Sequence, residues 1–296
     1  MKIVAIISLL FIRNLLTSDH IGESTFRVSA GSVEVVNPQN SRRIAADIYC
    51  PEGKGPYPLV IIMHGFMHNP RGHRGNASYL AERGFVVVVP SITYRIMRPN
   101  PEERARDMVA FFDGLVGLCR GTHPLLSRAD AARVGLVGHS AGGLTALMVA
   151  SRRRVQALVC LDPVLTARPP GSSTFAFDTR EAVLVKAPVL FLEAPPQRCN
   201  NERDRGMSIV PFLGSMVRAR YLVNGASHCD FIDESIGCSL VCGSSEECRR
   251  RLVRVYTAAW LMRFLARDHM AESFIFGDDH RQNVERNDIT VLDVNP

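Results

Sequence analysis

The chain has 296 residues, 46% of them hydrophobic and 22% charged. That composition supplies a large apolar core and excludes a disordered chain. The net charge is +6 (35 basic, 29 acidic), only Lys2, Lys54 and Lys186 are lysines, and the arginines are scattered among acids, which excludes a polybasic nucleic-acid binder.

At the start of the chain, Met1-Lys2 precedes an apolar run over residues 3–12, broken by Arg13. A bilayer span needs about 20 residues, so no transmembrane segment is expected here. A charge followed by a short apolar stretch matches a secretory signal. Residues 1–24 therefore read as a leader and 25–296 as one domain, secreted or held in the periplasm or envelope. Eight cysteines follow: Cys50, Cys119, Cys160, Cys199, Cys229, Cys238, Cys242 and Cys248. Their even number suits an oxidising compartment, and the last four crowd together. None of those four forms a C-x-x-C pair, so disulfides or buried thiols are expected rather than a metal, with the connectivity open.

Residues 26–36 alternate loosely, turn at Asn37-Pro38-Gln39-Asn40 and resume over 44–49, which predicts an antiparallel hairpin. Beyond it, continuous apolar runs at 59–63, 85–89, 134–137, 157–161, 189–192 and 219–223 predict buried strands. Helical spacing appears at 77–83, at 101–118 with proline at its start, at 141–150 and at 246–265. Strands alternating with helices predict an α/β fold: a mostly parallel, doubly wound sheet of about eight strands, with the hairpin at one edge. Phe274-Ile275-Phe276 is a candidate for one more strand in the tail. In such sheets chemistry collects beyond the carboxyl ends of the strands.

There the chain places Gly138-His139-Ser140-Ala141-Gly142, a G-x-S-x-G match between a strand and a helix. So tight a reversal leaves no room for side chains two residues either side of the serine, which glycine satisfies. Ser140 is the candidate nucleophile. It needs a base, and of nine histidines His228 alone follows the last core strand after a short loop, C-terminal to the serine. His139 adjoins the serine but is expected to face away, and His68 and His73 sit in a loop. The orienting carboxylate should cap a strand. Asp162 and Glu193 both do so, and Asp204 is a third candidate in the loop beyond; the residues alone leave the choice open.

The elbow, His64-Gly65-Phe66 after the first parallel strand, and Ser227-His228-Cys229-Asp230-Phe231 resemble the α/β-hydrolase superfamily over roughly residues 26–266. Leu161-Asp162-Pro163-Val164 is similar to the Asp-Pro-Val segment of chlorophyllases, and platelet-activating-factor acetylhydrolases likewise place their acid after this strand. His228 and Phe231 fit the His-x-x-Phe of both branches. Bacterial cutinases, otherwise similar around Gly225-Ala226-Ser227-His228, carry the acid one strand later, where this chain has Glu193-Ala194-Pro195. The resemblance therefore implies Asp162 as the acid. Chlorophyllases usually have arginine after the nucleophile; this chain has Ala141, so chlorophyll is not the expected substrate.

The motif context assigns an oxyanion hole to the backbone N–H groups of Phe66 and Ala141. His64 is expected to shape its loop by hydrogen bonding. Phe66, Met67 and Tyr94 are candidates for an apolar wall, and residues 194–206, with Cys199 and Arg203, for one side of the site. About 25 residues rich in Pro, Gly and Ser separate Asp162 from the next strand, too few for a large helical lid. The expected protein is a serine hydrolase of carboxylic esters that uses no metal or organic cofactor. Its substrate would be a small-molecule, lipid or polymer ester, which leaves lipase, phospholipid acetylhydrolase and polyester hydrolase as alternatives. A non-catalytic binding protein on the same fold is the remaining contrast.

Overall fold

The computed structural model describes residues 21, 25–66, 68–92, 100–167, 175–197, 199–200, 207–233 and 236–296. The expected leader thus lies, Ile21 apart, outside the described residues, as do Met67, Tyr94, Arg203 and Asp204.

Among the described residues nine strands form one sheet: β1 (Val28–Val36), β2 (Arg43–Pro51), β3 (Tyr57–Met63), β4 (Val86–Pro90), β5 (Ala129–His139), β6 (Ala157–Leu161), β7 (Val189–Glu193), β8 (Arg218–Val223) and β9 (Ile289–Asn295). Their order is β1-β2-β4-β3-β5-β6-β7-β8-β9. β4 through β8 run parallel, the β1–β2 hairpin joins antiparallel through β4, and β9 closes the opposite edge antiparallel to β8. The expected fold class is therefore the observed one, with one strand more than the expected eight. That strand is not Phe274-Ile275-Phe276. Glu272–Ile275 is a helical turn instead, and Phe276 packs edge-on against Trp260 at 5.9 Å.

Continuous apolar strands imply burial on both faces, and β3 shows how the pleat divides them. The first three long helices are α1 (Arg74–Ala81), α2 (Pro101–Cys119) and α3 (Ala141–Arg152), and Leu59, Ile61 and Met63 join a core with α2 and α3. Val60 and Ile62 point the other way, into a core with α1 and a long C-terminal helix at Glu247–Leu261. α2 begins where the sequence says it should. Pro101 holds its first turn, and the Asn100 side chain accepts the Glu103 N–H. Among the described residues, no helix is long and apolar enough to cross a membrane.

β3 neighbours β4 on one side and β5 on the other, so the chain leaves these adjacent strands in opposite directions. A crevice opens at that switch point, beyond the carboxyl ends of β3 and β5. His64-Gly65-Phe66 and Ser140 both emerge there.

Candidate active site

Ser140 joins β5 to α3 with φ 55° and ψ −125°, a backbone geometry that costs a non-glycine residue about 1–3 kcal/mol. Three hydrogen bonds hold it. The Ser140 N–H donates to the Leu161 carbonyl (3.0 Å), and the Ser140 carbonyl accepts from Gly143 (2.9 Å) and Val164 (3.1 Å). The flanking glycines are required by space. A Cβ at Gly138 would lie 2.7 Å from the Gly143 Cα, and one at Gly142 would collide with the Met63 carbonyl. The β3 loop presses against the serine so closely that a Cβ on Gly65 would stand 2.8 Å from that of Ser140.

His64 shapes this loop. Its Nε2 accepts the Ile92 N–H (2.9 Å), so Nδ1 carries the proton and donates to the Gly65 carbonyl (2.9 Å). Burial holds the imidazole neutral, with its pKa lowered to about 4. Phe66 follows, 38% exposed, at the mouth of the crevice. The Ala141 N–H opens α3, where a helix leaves its first donors without intrahelical acceptors.

Asp162 follows β6, immediately beside the end of β5, and is fully buried at φ 40°. His228 Nδ1 lies 2.6 Å from its Oδ2. The Ala194 N–H donates to Oδ1 (3.0 Å), and the Asn200 side-chain amide donates to Oδ2 (2.5 Å). Glu193, the alternative acid, is buried too, but it faces β8, where the Arg220 guanidinium engages both of its oxygens (2.9 and 3.3 Å). His228 starts a 3-10 turn, His228–Phe231, capped reciprocally by Ser227 and Asp230. Asp230 also accepts the Glu246 N–H (2.6 Å), and Asn76 of α1 donates to the Phe231 carbonyl (3.0 Å), so His228 sits on a braced loop.

One expectation fails. His139 does not face away: its ring lies 4.6 Å from that of His228, with His68 and His73 each 5.7 Å from His139. Strand alternation was the wrong guide, because the chain leaves the strand conformation at the very next residue. Burial keeps His139 and His73 neutral, His73 with a pKa lowered to about 3. A neutral His139 beside His228 avoids a like-charge repulsion that would oppose imidazolium formation.

These buried imidazoles make stability depend on pH. Their folded pKa values lie below the unfolded value of about 6.5, so the unfolded chain binds more protons between pH 6.5 and about 4, and stability falls as pH falls through that window. Moving from about pH 7.5 to 5 should cost about 2 kcal/mol for each of His64 and His73. Urea midpoints measured at both pH values check this; equal midpoints would contradict neutral burial.

Cys229 is bonded to Cys238 and Cys199 to Cys242. The crowded cysteines thus do not pair only among themselves: Cys248 is exposed and free, and Cys199 comes from a distant loop. The sulfurs of Cys229, Cys238 and Cys242 lie within 4.8 Å of one another.

A mostly parallel sheet with a strained serine at a strand-to-helix elbow defines the α/β-hydrolase fold. Within it, the chlorophyllase family model matches residues 17–174, and the chain belongs to that family. Chlorophyllase-1, chloroplastic, of Citrus sinensis is 27% identical over 135 residues, 45% of this chain and 41% of that protein. Chlorophyllase-2 of Arabidopsis thaliana is 26% identical over 159 residues, 51% of this chain and 48% of that protein. The match thus spans less than half the length of these chlorophyllases. Cutinase 2 of Thermobifida cellulosilytica is 24% identical over 252 residues, 81% of this chain and 83% of that protein.

Proposed function

We propose that the protein is a serine hydrolase of carboxylic esters, with Ser140 as nucleophile, His228 as general base and Asp162 as its orienting acid. The observation that carries this reading is the 2.6 Å bond between His228 and Asp162 at the rim that holds the strained serine. Asp162 keeps the Nδ1 proton in place, which leaves Nε2 free of a proton and basic. As the Ser140 hydroxyl attacks an ester carbonyl, Nε2 takes its proton, and the new oxyanion is held by the N–H groups of Ala141 and Phe66. His228 then protonates the departing alcohol, and water, activated in the same way, releases the acid. Neither step needs a metal or an organic cofactor.

Both relatives' names, chlorophyllase and cutinase, denote enzymes of ester hydrolysis, which supports the reaction class. Exposed Phe66 supports an apolar acyl or alcohol group at the crevice. Ala141 in place of arginine argues against chlorophyll. The longer cutinase match favours a second reading, a lipid or polyester substrate presented as an assembly. Two disulfides support an oxidising compartment outside the cytoplasm. One sheet running from Val28 to Asn295 supports treating residues 25–296 as a single domain. Rates on p-nitrophenyl acetate, butyrate, octanoate and laurate, beside polyester film and chlorophyll, test the substrate class. Turnover of the soluble esters, with none of chlorophyll, is expected; failure on every ester would refute the reading.

A further inference from the structure

We infer that Asn200 is a positioning residue for the acid of the triad, held in place by the Cys199–Cys242 disulfide. The inference rests on the serine-hydrolase reading above.

Asn200 is fully buried, an unfavourable place for an amide unless each end is satisfied. Its side-chain oxygen accepts the Gln197 N–H (2.7 Å). A backbone N–H can only donate, so the opposite end, the NH₂, must face Asp162. That NH₂ donates to Oδ2, the same oxygen that receives His228 Nδ1. Together with the Ala194 N–H on Oδ1, these donors fix both the rotation of the carboxylate and the lone pair offered to the imidazole.

The turn that carries Asn200 also touches the histidine loop. Asn200 N–H donates to the Gln197 carbonyl (3.1 Å), and the Gln197 side chain donates to the Ala226 carbonyl (2.7 Å), two residues before His228. Cys199 of this turn is bonded to Cys242, the last residue of the short helix Ile236–Cys242. Cys238 of the same helix is bonded to Cys229, the residue after His228. One short helix is therefore covalently joined both to the turn that positions the acid and to the loop that carries the base. Opening the Cys199 bridge frees the Asn200 turn while leaving His228 on its own brace.

Steady-state kinetics on p-nitrophenyl butyrate test this, with Ser140→Ala as the reference. Asn200→Ala should lower kcat about 10- to 100-fold, as the loss of a supporting partner does elsewhere, with KM within about two-fold. Asn200→Asp keeps the shape and places a second carboxyl against Asp162. Two such groups in contact cannot both ionise freely, so one proton is shared until pH rises. This variant should work at the lower end of the pH range and lose rate as pH rises, with an alkaline limb the parent lacks. Cys199→Ser/Cys242→Ser should lose rate as Asn200→Ala does, and adding the cysteine changes to Asn200→Ala should cost little more. An Asn200→Ala kcat within two-fold of the parent, with an unchanged pH profile for Asn200→Asp, overturns the inference even if both variants melt earlier. A cysteine variant that loses only thermal stability overturns the role of the bridge. If Ser140→Ala stays active, the serine-hydrolase reading itself falls; if it is inactive while Asn200→Ala is unaffected, the positioning role alone does.

Discussion

Ser140→Ala should lower kcat on a p-nitrophenyl ester by roughly 10⁶-fold and leave the fold intact. The hydroxyl is the only group proposed to form a bond with the substrate carbon, and no other nucleophile is assigned a place at this strand end. Removing it leaves the backbone N–H groups of Ala141 and Phe66, which are proposed to stabilise a tetrahedral intermediate but cannot start one. The residual rate should therefore be that of water in a preorganised site. Stability should rise slightly or stay level, because alanine places no polar atom at a position only 8% exposed. Rates compared with thermal melting separate the two effects. A variant within ten-fold of the parent rate would remove Ser140 from the chemistry.

The second large effect divides the two carboxylates. Asp162→Asn presents an amide that can donate toward Nδ1, so the imidazole settles in the wrong tautomer, and kcat should fall about 10⁴-fold with little change in KM. Glu193→Gln removes the charge from a carboxylate that Arg220 engages through both oxygens. It should cost on the order of 1–3 kcal/mol of stability and leave kcat within about three-fold. Measuring kcat and urea unfolding for both variants checks the pair. The reverse pattern, a large kinetic loss for Glu193→Gln alone, would move the acid to the next strand.

Where one type of residue can fill a position for one reason, the sequence was readable. Short apolar runs bounded by turn residues read as doubly covered strands, and Gly138 and Gly142 leave the space that the tight turn at Ser140 requires. The position of His228, in the loop after β8, was legible from the chain order. The choice between Asp162 and Glu193 was not readable from the strands themselves, because both cap apolar runs. The clue lay on a neighbour: Arg218 and Arg220 alternate along β8, and charges in a central strand need partners, here Asp293 and Glu193. Strand β9 escaped notice because it covers an edge and, after Ile289, is largely exposed, so it lacks an apolar run. Asn200 gave no signal beyond its adjacency to Cys199, since a buried amide is recognised by its partners, which come from residues 162 and 197. The placement of His139 depended on a backbone angle at Ser140 that reverses the expected alternation.

A fluorophosphonate reacts far faster with a serine whose proton a base removes than with an unactivated hydroxyl, so the most direct measurement is to label the protein and map the modified peptide. One adduct is expected, on Ser140, formed at a rate that falls steeply in His228→Ala and Asp162→Asn. An adduct elsewhere, or none on folded protein, would contradict it.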